Sequence, residues 1–452
     1  MVRNPGQGRE VPRGSLPEGT RHARDALATS GARVKNPPLS EPEFLDRSAL
    51  DQELVRVFEK CQDCRLCLPL CPSFPSLFEA LDRHEQEADQ LTAQERREVI
   101  DLCYQCKLCY NNCPYHPPHD WLIDFPKLMS RAKLVQAQEE GIPLAERMGQ
   151  RQDLLGQISC LTAGLTNAAF KSGPVRVLME KVTGIDRRWP MPHYEPRPFS
   201  RQVRNHRPGP GPNGRAVLFP TCFVEYSEAE VGHAALEVLE HNGIAAEPSY
   251  PACCGAPFLH GGDLAAARKN AERVVTALAP KVREGQALIV PGPTCSYQMK
   301  HEYPELLATP DARLVAENTY DLGEYLWKLK QEGKLRTDFR QPLGRVAYHL
   351  PCHLKAQNVG FRSRQLLKLA GAEVELLDHC SGVDGTWGMQ ARWYDQSLKV
   401  ASKLLQGAQR LEPDRIASDC PLAALRIQEG TGQRARHPIV LLRDAYGLGP
   451  AP

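Results

Sequence analysis

Residues 61–72 read CQDCRLCLPLCP, and residues 103–114 read CYQCKLCYNNCP. Each run is C-x2-C-x2-C-x3-C-P. Three cysteines at i, i+3 and i+6 wrap one small volume, while a fourth, set off before a proline, points away from it. A cubane iron–sulfur cluster needs four converging thiolates, so the two runs complete each other. Cys61, Cys64 and Cys67 close one [4Fe–4S] site with Cys113. Cys103, Cys106 and Cys109 close the second with Cys71. Zinc sites more often pair two C-x2-C elements across a longer gap, and free thiols need no such spacing. The spacing therefore predicts a ferredoxin-type module over residues 45–139, with two [4Fe–4S] clusters and the chemistry of electron transfer.

The residues between and around the runs fit that module. Leu77, Phe78, Leu81, Leu91, Val99, Ile100 and Leu102 sit among charged residues in a pattern that suits helix rather than strand. Leu66, Leu68, Leu70, Leu108 and Tyr110 are apolar neighbours that would exclude water from a cluster. His116 and His119 follow the second run; with all eight cysteines present they are read as packing or surface residues.

On the N-terminal side, residues 1–44 are rich in Arg, Gly and Pro without periodic apolar positions, which predicts a disordered basic tail. On the C-terminal side, residues 140–213 form a helical connector that ends in a Pro/Gly linker, Arg207–Pro212. Beyond it the chain repeats itself. Strand-like Ala216–Phe219 leads to Cys222, and Val346–Leu350 leads to Cys352. Helical stretches follow, closed by Gly243 and Gly371. Second strand-like runs reach Cys253-Cys254-Gly255 and Cys380-Ser381-Gly382, and third runs end at Cys295 and Cys420. These landmarks recur in order at offsets of 125–130 residues, which marks an internal duplication over 214–335 and 336–452. Strand–helix alternation predicts a parallel α/β fold in each copy. Cysteines at strand ends then gather at one sheet edge, where open α/β folds place ligands. The whole chain reads as an α+β multidomain protein.

Bulk properties narrow the function. Formal net charge is +2 over 452 residues, so nothing points to nucleic acid. No apolar run reaches the roughly 18 residues of a spanning helix, and there is no signal-peptide core. A cytoplasmic location is expected, with a peripheral place on the inner face of the cell membrane left open. Cytosolic thiols stay reduced, so sixteen cysteines argue for metal or cluster ligation rather than disulfides. No G-x-G-x-x-G stretch opens a helix after a strand, and no nucleophile–base constellation stands out beyond the cysteines.

One cysteine, then Cys-Cys-Gly about thirty residues on, then another cysteine about forty further, resembles the cysteine-rich CCG domain. Further likeness lies in Leu161–Asn167, Asp186–Arg188, Thr294–Tyr297, Glu302–Leu306, Tyr348–His353, Gly382–Gly388 and His437–Leu442. The family includes the B subunit of heterodisulfide reductase, the iron–sulfur subunit of glycolate oxidase and the C subunit of anaerobic glycerol-3-phosphate dehydrogenase. With the ferredoxin module, the resemblance spans roughly residues 50–447. It implies five cysteines per copy, the last two as C-x2-C, able to hold a noncubane [4Fe–4S] cluster. This chain departs from that pattern. The first copy keeps Cys222, Cys253, Cys254 and Cys295, with Gln298 in the fifth place. The second keeps Cys352, Cys380 and Cys420, with Ser381 and Ala423 in the others. The resemblance thus implies candidate sites for a further iron–sulfur cluster or zinc, unequal between the copies.

The reading that follows is an electron-transfer subunit. Electrons enter from a partner dehydrogenase, expected to be a flavoprotein, cross two [4Fe–4S] clusters, and leave toward quinone or another acceptor. Two alternatives belong to other classes: a thiol/disulfide reductase using a CCG-domain cluster, and a redox-sensing scaffold. In the connector, Leu154, Ile158, Leu161 and Leu165 recur at helical spacing. Lys171, Arg176, Lys181, Arg187, Arg188 and Trp189 follow them, which suits either a membrane-interface helix or a helix packed on a neighbouring domain. Isolated Cys160 is read as a small apolar residue.

Overall fold

The computed structural model describes residues 37–383 and 385–448. The basic tail expected over 1–44 lies outside them as far as residue 36. From there its last stretch is ordered: Leu39 and Phe44 are buried, and Arg131 donates to the Phe44 carbonyl at 2.7 Å.

The first elements are helices, as the periodicity requires. Arg47–Cys64 (α1) starts where Asp46 accepts from the Ala49 amide and stops at Arg65, whose backbone is left-handed at φ 47°. Ser73–Arg83 (α2) and Ala93–Leu102 (α3) follow, the latter opened by a Thr92/Glu95 capping box. Leu108–Asn112 (α4) is a single turn, and Phe125–Glu140 (α5) is capped by Asp124. Phe58, Phe74, Leu77, Leu81, Val99, Phe125 and Leu128 lie in the core that these helices share.

The connector opens with four helices, Leu144–Gln150 (α6), Gln152–Leu161 (α7), Ala163–Lys171 (α8) and Gly173–Thr183 (α9), and a short fifth, Phe199–Gln202, follows. It corrects part of the membrane-interface reading. Arg176 is buried and donates to the carbonyls of Asp186, Arg187 and Trp189. Trp189 is buried as well, under the Arg426 guanidinium. These two residues tie the connector down, because an internal carbonyl cluster needs a buried donor fork. The apolar residues do the opposite: Leu161 and Leu165 are 85% and 77% exposed. Cys160 is buried, as a small apolar residue would be.

Each repeat builds a four-stranded, fully parallel sheet. The first holds Gly214–Leu218 (β1), Ile244–Pro248 (β2), Ala287–Val290 (β3) and Thr319–Asp321 (β4) in the order β2-β1-β3-β4. The second holds Arg345–His349 (β5), Glu373–Leu377 (β6), Arg415–Ser418 (β7) and Ala435–Arg436 (β8) in the order β6-β5-β7-β8. The two orders are the same, as a duplication demands. The edge strands β4 and β8 are additions, too short to announce themselves in the sequence. One apolar core runs through both copies, joining Leu218, Leu236 and Leu326 to Tyr348, Leu366 and Leu442.

Candidate metal centres

Because every strand of a sheet runs the same way, residues just past strand ends collect at one edge. Cys222, Cys253 and Cys295 follow β1, β2 and β3; Cys352, Cys380 and Cys420 follow β5, β6 and β7. The ferredoxin-type module packs against that edge. Asn111 donates to the Lys355 carbonyl, and Lys107 pairs with Glu302 at 3.1 Å.

Within the module the thiols sort into two groups. Cys61, Cys64 and Cys67, from the end of α1 and the turn after it, line one cavity together with Cys113 from the end of α4. Phe74, Phe78 and Ile123 complete its wall, and Lys60 and Arg65 also line it. Burial pushes the Cys67 thiol up to about 11, with Cys113 and Cys64 adding to it. Cys61 moves further in the same direction for the same reasons. Four thiols around a largely apolar cavity with two cations suit a cluster that takes thiolates and displaces their protons. This group lies near the surface: Leu66, between Cys64 and Cys67, is 57% exposed.

The second group is Cys71, Cys103, Cys106 and Cys109. Burial lifts Cys71 to about 12, and among thiols Cys103 adds most to this. Burial raises Cys106 and Cys109 as well; Cys352, then Cys71 and Cys109, add to the first, and Cys103, Cys71 and then Cys67 add to the second. This group is deep, with Cys103 and Cys109 buried. Its loop is clamped by features the sequence did not disclose. Gln105 and Lys107 both hold left-handed backbone, at φ 57° and 63°. Gln105 Nε2 donates to Cys103 Sγ at 3.5 Å, and Lys107 Nζ donates to Gln105 Oε1 at 3.0 Å. Lys133 donates to the Cys103 carbonyl.

The first cysteine-rich copy brings Cys222, Cys253, Cys254 and Cys295 together. Interaction with Cys222 and Cys254 pulls the Cys253 thiol down, and interaction with Cys253 pushes Cys222 and Cys254 up. Cys254 also meets Cys295. The glycine of Cys-Cys-Gly is required: Gly255 sits at φ 89°, and a Cβ there would lie 3.2 Å from the Ala267 carbonyl. From the connector, Asp153 reaches in. Its carboxylate accepts from the Cys253 amide at 2.8 Å, the Tyr250 hydroxyl at 2.6 Å and the Tyr226 hydroxyl at 3.3 Å. Gln298 opens a π-turn, Gln298–Glu302, three residues past Cys295, and so shares its helix face. It is 1% exposed, and its Nε2 has no partner among the described residues. An orphaned buried donor one turn from Cys295 suits a sulfur-rich centre that can accept it. Among the described residues no three His, Cys, Asp or Glu side chains close around a single ion.

The second copy arranges its cysteines differently. Cys352 lies within electrostatic reach of Cys106, and Cys380 of Cys71. The Tyr104 hydroxyl is 3.7 Å from Cys380 Sγ. Ala423 is buried in the core, and Cys420 caps the helix Pro421–Thr431. His353, beside Cys352, joins all three cysteine-bearing units. Its Nε2 is 2.9 Å from the Gln105 carbonyl and its Nδ1 is 2.9 Å from Thr294 Oγ1. A carbonyl only accepts, so Nε2 donates to it. Tyr297 stacks on the same ring at 5.4 Å.

Known proteins share these parts. Residues 55–139 match the Fer4-like domain of citrate utilization protein B, and residues 216–300 and 346–427 each match the cysteine-rich CCG domain. The C subunit of anaerobic glycerol-3-phosphate dehydrogenase from Escherichia coli K12 is 30% identical over 298 residues, covering 65% of this chain and 75% of that protein. The B subunit of fumarate reductase (CoM/CoB) from Methanothermobacter marburgensis is 29% identical over 53% of this chain and 48% of its own. Lactate utilization protein A of Bacillus pumilus is 27% identical over 45% and 86% respectively.

Proposed function

Since the chain belongs to the CCG-domain iron–sulfur family that includes the C subunit of anaerobic glycerol-3-phosphate dehydrogenase, we propose that it relays electrons from a partner flavoprotein dehydrogenase toward quinone or another acceptor. It is an iron–sulfur oxidoreductase subunit, and its relatives are named as subunits of larger complexes. The observation that carries the finer reading is the exchange of fourth cysteines. Cys113 shares a cavity with Cys61, Cys64 and Cys67, and Cys71 lies with Cys103, Cys106 and Cys109. These eight residues would hold two [4Fe–4S] clusters, which take up and release single electrons when bound.

The protein's own residues then give the relay a direction. The outer group, with Leu66 and Leu68 exposed beside it, is where a donor protein can approach. The inner group is covered by Lys107, Lys133 and the tryptophans of the second cysteine-rich copy. His353 links the Gln105 carbonyl, next to Cys106, to Thr294, next to Cys295. In the first copy Cys222, Cys253, Cys254 and Cys295 would hold a further cluster or zinc. In the second, Cys352, Cys380 and Cys420 offer a weaker set, since Ser381 is a poor ligand for iron.

The test is anaerobic purification of the full chain, followed by iron, acid-labile sulfide and zinc analysis and EPR at stepped potentials. Two ferredoxin-type signals with about eight iron atoms are expected for the module. Stoichiometric zinc without iron would overturn the reading. A flavin-containing protein that co-purifies supports relay, whereas turnover of a disulfide by the isolated chain supports a reductase.

A further inference from the structure

Buried N–H groups in proteins nearly always find acceptors, and an exception marks a ligand, a water or a functional strain. Trp387 is 7% exposed, and its indole Nε1 has no hydrogen-bond partner among the described residues. The residue opens a short turn, Trp387–Met389, in the loop that follows Cys380. Its ring lies 4.9 Å from that of Tyr104 and stacks on Trp393 at 6.0 Å. Leu102, Tyr104 and Trp387 form one apolar group, against which Cys71, Cys106, Cys380 and Trp393 pack. An indole nitrogen can only donate. The side-chain acceptors in this group are sulfur atoms and one hydroxyl, and that hydroxyl is turned toward Cys380 Sγ.

The loop is built to hold the ring in place. Gly382 is at φ 67°, and a Cβ on it would fall 2.2 Å from the Ser397 carbonyl. One on Gly388 would fall 2.1 Å from the Gly382 carbonyl. Ser397 Oγ and Arg426 Nη2 each donate to the Gly388 carbonyl at 3.1 Å. So the second copy sets two tryptophans, with close backbone contacts at Gly382 and Gly388, over two cysteines of the ferredoxin-type module.

We propose that the second cysteine-rich copy serves as the lid of the centre held by Cys71, Cys103, Cys106 and Cys109, and that Trp387 donates its indole N–H to sulfur in that centre. The proposal rests on the reading that these four cysteines hold a [4Fe–4S] cluster. An N–H donor stabilises the state with more negative charge on sulfur, so it raises the reduction potential. No bond is made or broken; the centre gains one electron, and the donor stabilises the charge it brings. The degenerate copy then has a use that needs no metal of its own.

The test uses the full chain, purified anaerobically. Trp387→Phe keeps a ring in the stack and removes the donor. EPR-monitored titration should show the potential of the inner cluster moving more negative, with the outer cluster unmoved and iron content unchanged. In the wild-type chain grown with indole-15N tryptophan, pulsed EPR of the reduced inner cluster should show a 15N coupling that W387F abolishes. If the wild type holds no cluster on the inner cysteines, the underlying reading fails. If the cluster is present in both proteins with the same potential, the proposal fails alone. Should W387F lose the cluster, the wild-type 15N coupling decides: its presence upholds the donor, and its absence removes it.

Discussion

At the residue scale, the fourth cysteines make the sharpest prediction. Cys113→Ser should abolish the outer cluster, built on Cys61, Cys64 and Cys67, and spare most of the inner one. Loss confined to the Cys103–Cys109 cluster, read by EPR, would contradict the exchange. A second prediction concerns the two cysteine-rich copies. Cys254 is buried and touches both Cys253 and Cys295, so Cys254→Ser should release metal that the wild type holds firmly. Cys380→Ser should change total metal little, because Ser381 and Ala423 already deprive that copy of two ligands; metal analysis in the reverse order would refute it. The cysteines were legible because ligand spacing is written locally in the chain. Asp153, Gln298 and Trp387 were not. Asp153 meets Cys253 across 100 residues of sequence, and nothing around it distinguishes it from an ordinary helix acid. Gln298 was noticed only as a missing cysteine, and the solitary donor it contributes exists only once the π-turn buries it.

At the scale of elements, the duplication told the sheets in advance, since strands, glycines and cysteines recur at one offset. What it could not tell was how the connector lies on the first copy. Leu154 and Ile158 carry the same apolar signal whether a helix faces lipid or protein, and the deciding residue is a glycine. A Cβ on Gly156 would fall 2.2 Å from the Tyr226 ring, so α7 rests on Tyr226 at a distance only glycine allows. Gly156→Ala should gain up to about 1 kcal/mol in helix propensity and lose roughly 1–3 kcal/mol to overpacking. Packing wins, and the melting temperature should fall. The same substitution should lift Asp153 away from Cys253, seen as faster amide exchange over Gln152–Leu161 and at Cys253. An unchanged or higher melting temperature would show that Tyr226 yields freely.

At the scale of the whole molecule, the exposed apolar surface of α7–α9 remains to be accounted for. Leu154, Ile158, Leu161, Leu165, Leu178 and Val182 are all exposed, with Lys171 and Lys181 beside them. No helix among the described residues is long and apolar enough to cross a membrane. A surface of this kind suits shallow insertion at a lipid interface, the leucines among acyl chains and the lysines on anionic headgroups. Arg176 and Trp189 take no part, being buried, and Arg187 and Arg188 are already paired with Glu180 and Asp186. Attraction to anionic lipid therefore falls to a few lysines, and the apolar term should dominate. Each leucine transferred from water contributes about 1.5–3 kcal/mol. The double variant Leu161→Glu, Leu165→Glu should then weaken binding to phosphatidylglycerol-containing vesicles by roughly 100-fold or more. Raised salt should weaken it much less. Vesicle co-sedimentation of the anaerobic full chain measures both. A wild-type chain that stays in the supernatant at low salt would exclude lipid as the occupant of this face. Strong salt dependence with no effect of the glutamates would mean that the lysines bind lipid while the leucines face another protein.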